Sequence, residues 1–341
     1  MLVGRRLHNA KPPPPQSIEK DYRARRAPAR LRAMVLRQLE YLVALAREKH
    51  FGRAADACHV TQPTLSAAIR QLEEDLGAPI VERGHRFVGL TRQGRLALEH
   101  AHRILAEAEV MRRDIEELDK GLSGRLRLGA IPTALPIVSQ LTAPFTARFP
   151  QVAVTVLSLT SQEIQRGIED FELDVGLTYL DNEPLERVKA KPIYQEEYVF
   201  LTPASGRYAD RRTITWKEAA AEPLCLLTPD MQNRRIVDGV FRSVGETPKP
   251  SVETNSIFNL VSHASSGRWS SIVPRQLLQF FGIPRNTRAV ELVEPTARRT
   301  IGLIMADRDP PAPLARNLFA MEQPADIGAL IVAPVKMEPV R

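Results

Sequence analysis

Thr61, Gln62, Pro63, Thr64 and Ser66 crowd small polar side chains into the start of a helical run within HFGRAADACHVTQPTLSAAIRQLEEDLG, residues 50–77. Packing explains this poorly, because the apolar stripe of that run begins only at Leu65 and continues through Ile69, Leu72 and Leu76. Hydrogen bonding explains it better. A helix N-terminus favours phosphate through its dipole, Gln62 can pair with adenine N6 and N7, and the methyl or ring carbons of Thr61, Pro63 and Thr64 can meet thymine methyls. Arg70, two turns further on, can reach a phosphate or a flanking base. The competing reading is an ordinary capped helix, with Thr61 as N-cap and Pro63 in the first turn, where its missing N–H costs nothing.

These residues need a frame. LRQLEYLVALAREKH (36–50) repeats apolar side chains at helical spacing, GRAADA (52–57) is a short Ala-rich helix, CHVTQP makes a turn, and Gly77 supplies a C-cap. The order is helix, tight turn, helix, the arrangement that sets a second helix into a groove. PIVERGHRFVGLT (79–91) reads as two short extended segments around ERGHR, a wing that carries Arg83, His85 and Arg86. From Thr91 to about Gly121 a long helical run places Ala97, Ala101, Ile104, Ala108, Met111, Ile115 and Leu118 in steps of four and three. That seam predicts pairing with a second copy; a helix packed on its own domain is the alternative.

Beyond Gly121 the texture changes. Strand patterns at 125–131, 152–159 and 174–180 alternate with helical ones, and a similar series follows: strands at 198–204 and 223–229, helices around 232–244 and 256–266, and a strand at 270–274. Strands at 288–292 and 299–306 and a helix near 312–320 close the chain, so two α/β halves are expected. In such sheets ligands sit beyond the carboxyl ends of the strands, against helix N-termini. Those places are Pro132 and Thr133, Thr160 and Ser161, and Thr178. Thr160 with Glu163 also forms a capping-box pattern, so one of these hydroxyls can be a cap only. An uncharged, hydroxyl-rich pocket at helix ends suits a small organic anion.

Composition narrows the class. Of 341 residues, 43% are hydrophobic and 26% charged, as in soluble globular proteins. No apolar run is long enough to span a bilayer, so no membrane role is expected. Two cysteines, Cys58 and Cys225, make neither a disulfide framework nor a zinc cluster, and a cytoplasmic setting follows. No metal or cofactor is expected. The net charge of +7 suggests nucleic acid until it is divided: residues 1–33 hold nine basic side chains against Glu19 and Asp21, so the other residues are neutral overall. That segment, with PPPP at 12–15, is either a disordered basic arm or the result of a start placed upstream of Met34.

From Leu36 to Gly94 the pattern, including AA at 54–55, QPTLS, IRQLEEDLG, ER at 82–83 and LT…G, resembles the DNA-binding domain of LysR-type transcriptional regulators. HFGRAADACHVTQPTLS looks most like the family's peroxide-sensing branch. The resemblance extends through the long helix and the paired α/β halves. It implies an α/β multidomain protein: a winged helix-turn-helix over 34–92, a linker and dimerisation helix over 93–122, and a periplasmic-binding-protein-like effector domain over 123–333. Subdomain I of that domain is expected at about 123–197 and 288–333, subdomain II at about 198–287. Such proteins act as homodimers or homotetramers on inverted repeats in double-stranded promoter DNA, where a small effector changes how the DNA is bent, and RNA polymerase is a further candidate partner. By resemblance Thr133 and Ser161 match positions that hold effector carboxylates, and Gln232 and Asn233 match the facing wall.

Two departures matter. No Cys occurs in TPDMQNRR (228–235), where the peroxide sensors carry a reactive one, so a disulfide switch is not expected. Trp269 stands where the family often has Gly, and either lines the pocket or packs at the subdomain boundary. An enzyme is not expected, for none of the phosphate-loop, dinucleotide, nucleophile-elbow or zinc-protease motifs occurs, and His100 and His102, two apart on a helix, face different ways. The alternatives are a redox-responsive regulator of the same family, and a solute-binding protein, which would need export.

Overall fold

The computed structural model describes residues 36–82, 87–208 and 210–322, with backbone alone for 113, 114 and 116–120. Two compact units meet within the long helix, at Leu105/Ala106. Among the described residues no helix is long and apolar enough to cross a membrane.

In the first unit the apolar spacing gives α1 (Leu36–Glu48), α2 (Phe51–Ala57), α3 (Gln62–Leu76) and the start of α4 (Arg92–Lys120). Their inner stripes, among them Leu39, Leu42, Leu45, Ala54, Leu65, Ile69, Leu72 and Ala101, form one core. α3 ends where Gly77 takes φ 68°, a left-handed conformation that glycine adopts without a Cβ clash. Among the described residues the wing pairs through one bridge, Val81 with Leu90, and through backbone bonds from Glu82 N to Gly89 O and from Thr91 N to Ile80 O. The two extended segments expected there do not form a regular hairpin among the described residues, and Arg83, His85 and Arg86 lie outside them. What fixes its base is buried Glu73, whose Oε1 accepts from the backbone N of Ile80 at 2.9 Å and of Val81 at 3.2 Å. Gly94, in the first turn of α4, lets that helix approach the Ile80 carbonyl; a Cβ there would lie 1.9 Å from Ile80 O.

Along α4, Ala101 is buried, while Leu96, Ile104, Met111 and Ile115 are exposed. This leaves an apolar face that the described residues do not cover. Leu118 falls among the side chains not described.

The second unit is the α/β domain. β1 (Gly124–Ala130), β2 (Val152–Ser158) and β3 (Val175–Tyr179) run parallel, with α5 (Leu135–Arg148) and α6 (Ser161–Glu169) as crossovers. β4 (Val188–Pro203) is common to both halves. Its first part pairs antiparallel with β10 (Arg298–Ala306), its second part with β8 (Ser271–Pro274) and β9 (Thr287–Val293). The second half also contains β5 (Thr213–Thr215), α7 (Trp216–Ala220), β6 (Cys225–Leu227), α8 (Gln232–Ser243), β7 (Val252–Thr254), α9 (Ile257–Ser265) and α10 (Arg275–Phe281). α11 (Pro313–Ala320) packs back on the first half, where Leu314, Ala315 and Leu318 join its core.

The subdomain boundary expected at 287/288 is displaced. β9 pairs with the second part of β4 and with β5, so it belongs to the second half, and the chain returns to the first between β9 and β10. A strand this short carries no mark of which sheet it joins; pairing decides it.

Candidate functional site

At the start of α3, Thr61 has extended backbone and its Oγ1 accepts from the Thr64 backbone N at 3.4 Å, while the two threonine hydroxyls lie 2.9 Å apart. Thr61 is therefore a cap, as the plainer reading held. Capping leaves the rest of the turn unexplained: Gln62, Pro63 and Thr64 are exposed, and the Gln62 amide has no hydrogen-bond partner among the described residues. Ser66 is half-buried and takes a bond from Arg70 Nη2 at 3.3 Å, so these two sit together one turn further along the same face. Six of the eight expected DNA-facing residues thus lie at the cap and in the first turns of α3, five of them exposed and Ser66 half-buried; Arg83 and Arg86 lie outside the described residues. His50 caps α2, its Nδ1 accepting from Gly52 N at 3.1 Å and Arg53 N at 3.3 Å, while His59 occupies the turn at φ 54°.

In the α/β domain the strand ends and helix starts converge as open-sheet topology requires. A cleft is lined from the first half by Ile131, Pro132, Thr133, Thr160, Ser161 and Tyr179, and from the second by Leu227, Met231, Gln232 and Asn233. Thr133, Ser161, Gln232 and Asn233 are all buried. The two walls lie close together and are joined directly, Asn233 Nδ2 of the second half donating to the Tyr179 hydroxyl of the first at 3.1 Å. Thr160 completes the capping box with Glu163, its Oγ1 accepting from Glu163 N at 3.2 Å.

Thr178 is not in the cleft. It is fully buried, faces the other side of β3 and leaves its hydroxyl without a partner. Side chains alternate along a strand, so the neighbour one residue on, Tyr179, lines the cleft instead. Its hydroxyl is a junction. It lies 3.3 Å from Thr133 Oγ1, receives Asn233 Nδ2 at 3.1 Å from the opposite wall, and donates to Glu196 Oε1 at 2.6 Å.

Glu196, on β4 just before the strand passes from one half to the other, is fully buried. Burial raises its pKa to about 7; the neighbouring hydroxyls of Tyr179, Tyr198 and Thr133 oppose that rise, and Asp181 adds to it. Burial and the adjacent carboxyl push the Tyr179, Tyr194 and Tyr198 phenols well above their ordinary value. At the rim, Glu183 pairs with Arg235 across the cleft at 2.6 Å. None of Tyr179, Glu183, Glu196 and Arg235 was expected from sequence. Strand alternation was a signal for Tyr179; the Glu196–Tyr179 and Glu183–Arg235 pairings span 17 and 52 residues, which a single sequence does not display.

Trp269 does not line the cleft. It packs on the core of the second half beside His263, with Arg268 over its ring at 4.9 Å. Cys225 is buried in β6, and burial raises its thiol to about 11; burial also raises Cys58.

Two family models match. Residues 36–95 match the bacterial regulatory helix-turn-helix protein, lysR family, and residues 119–323 match the LysR substrate binding domain. The DNA-binding transcriptional dual regulator OxyR of Escherichia coli (strain K12) is 29% identical over 282 residues, 81% of this chain and 91% of that protein. A full-length OxyR variant from Pseudomonas aeruginosa superposes with a TM-score of 0.65 at 26% identity, over 89% of this chain and 99% of the other. The same fold recurs in full-length CbnR complexed with its target DNA, TM-score 0.59 at 23% identity, over 84% of this chain and 98% of that one.

Proposed function

The chain belongs to the LysR family of DNA-binding transcriptional regulators with an effector-binding domain, and from that premise we propose that the start of α3 reads promoter DNA while the closed cleft receives a small organic anion. The observation that supports the first part is the exposed turn at Gln62, Pro63 and Thr64, polar side chains at a helix N-terminus that packing leaves unused. Ser66 and Arg70 extend that surface, and Arg83 and Arg86 of the wing would add phosphate contacts. Because residues 34–341 are nearly neutral overall, DNA affinity depends on repeating these few contacts by symmetry.

A second copy supplies that symmetry. The uncovered face of α4 borders an apolar groove lined by Leu39, Leu76, Ile80, Leu96, Ala97 and Ile104, which would seat the partner's helix. A homodimer, and a homotetramer built from it, is the form in which the chain would bind inverted repeats and meet RNA polymerase.

For the cleft, the supporting observation is the convergence of buried Thr133, Ser161, Gln232 and Asn233 around helix starts, which offer donors to negative charge. The peroxide-responsive reading that the OxyR relatives raise has less support here: no thiol lines the cleft, and Cys225 is held as an unreactive thiol in a strand.

The test of the DNA reading is a gel shift with the DNA upstream of the chain's own gene. Specific retardation that Gln62→Ala with Ser66→Ala abolishes is the expected result, and no retardation at any promoter-sized fragment refutes it. The cleft is tested by calorimetric titration with small carboxylates. Binding that Thr133→Ala or Ser161→Ala weakens is expected; binding indifferent to both variants refutes the placement.

A further inference from the structure

The rim of the cleft carries an ion pair with a peculiarity of construction. Glu183 lies in the loop after β3, in the first half; Arg235 lies in the first turn of α8, in the second. Arg235 Nε donates to Glu183 Oε1 at 2.6 Å and Nη2 to Glu183 Oε2 at 2.9 Å, the fork-to-fork geometry with which a guanidinium takes any carboxylate. The guanidinium is also fixed from its own side. Nη1 donates to the carbonyls of Pro229 at 3.2 Å and Asp230 at 2.6 Å, so its position does not depend on Glu183. Nη2 also lies 3.5 Å from Ser161 Oγ, and Ser161 lines the cleft at the start of α6.

The preceding residue shows what a purely structural arginine looks like here. Arg234 is buried and pairs with Asp238 and Glu253, both from its own subdomain. Arg235 instead turns a preset carboxylate-binding edge toward the other wall, and what occupies that edge is a carboxylate on a loop. Both partners of that pair keep about 30% of their side-chain surface exposed, so the pair contributes little to stability and solvent solutes can compete for it.

We propose that Arg235 is the anion-recognition residue of the cleft and that Glu183 is its built-in competitor. The carboxylate of an effector displaces that of Glu183 from the Arg235 fork and comes to rest against Ser161 and the first turn of α6. This rests on the reading that the cleft takes an organic anion, and it narrows the class to a planar carboxylate suited to a two-pronged fork. In the resting protein the competitor keeps affinity low, and the regulator answers only to concentrations that outcompete a tethered carboxylate.

Titration calorimetry of the full-length chain with acetate, lactate, succinate and benzoate at low ionic strength tests this, using Glu183→Gln, Arg235→Gln and Arg235→Lys. Circular dichroism melting curves check that each variant folds. For a probe that binds the wild type, Glu183→Gln is expected to bind about tenfold tighter, Arg235→Gln at least tenfold weaker, and Arg235→Lys in between. Affinity within twofold of wild type in Glu183→Gln or in Arg235→Gln overturns the proposal. So does weaker binding in Glu183→Gln, which would make the ion pair a latch on the bound state. If no probe binds the wild type or Glu183→Gln, the organic-anion reading itself fails, a result distinct from the other two.

Discussion

Replacing Glu196 by Gln should change how the stability of the α/β domain depends on pH, by an amount that the structure allows to be worked out. The carboxyl is fully buried and its pKa stands at about 7, against 4.5 for the ordinary group. Between those two values the folded protein keeps a proton that the unfolded chain has already released. The stabilisation due to the neutral form is therefore complete below pH 4.5 and lost as the pH rises through about 7, after which it stays lost. At about 1.4 kcal/mol per pH unit, the whole interval amounts to about 3 kcal/mol. Gln is neutral throughout, and its side-chain oxygen can still accept from the Tyr179 hydroxyl. The variant should thus gain on the wild type by about 3 kcal/mol between pH 4.5 and pH 8, whatever fixed cost the amide carries. Urea unfolding followed by tryptophan emission measures this in the full chain, because both tryptophans, Trp216 and Trp269, lie in the α/β unit. If the wild-type and Glu196→Gln curves stay parallel from pH 4.5 to pH 8, Glu196 does not titrate as described and the reasoning is refuted.

Other outcomes follow from the same geometry. An anion in the cleft sits beyond Tyr179 from Glu196, so ionising that carboxyl should weaken binding; affinity for a bound carboxylate should fall roughly tenfold from pH 6 to pH 8, and calorimetry of Glu196→Gln should show the fall removed. Gly94→Ala drives a Cβ into the Ile80 carbonyl and should cost the DNA-binding unit about 3 kcal/mol, seen as loss of gel shift and of helical signal at lower temperature while tryptophan emission is unchanged. His50→Ala removes the α2 cap and should cost about 1 kcal/mol in thermal unfolding of that unit; His50→Asn, which restores an acceptor, should recover most of it.

How much of this the sequence displayed differs between the two ends. The helix-turn-helix is written in local signals: apolar spacing in α1 and α3, Thr61 before the run and Gly77 after it, each of which acts within one or two turns. Part of the cleft was legible from a topological rule that needs only strand ends and helix starts, which pointed to Pro132, Thr133, Thr160 and Ser161, while Gln232 and Asn233 came from the family resemblance; all six line one cleft. Thr178 misled because a one-residue choice on a strand selects the opposite face. The first part of β4, VKAKPIYQEE, is too polar and too interrupted by Pro192 to read as strand; it becomes one by pairing with β10. Glu196 reads in isolation as a surface carboxylate in that polar run. Only the fold, by setting Tyr179 against it, makes it a buried one.

The near-closure of the cleft has a kinetic side. The bonds from Asn233 to Tyr179 and from Arg235 to Glu183 tie the two walls together, so the proposed anion would have to break them, and the walls to part, as it enters. Capture then becomes a two-step event in which opening precedes encounter, and at high effector concentration the observed on-rate should level off at the opening rate instead of climbing without limit. Such a regulator would filter its input in time as well as in amount, ignoring pulses of effector shorter than the interval between openings.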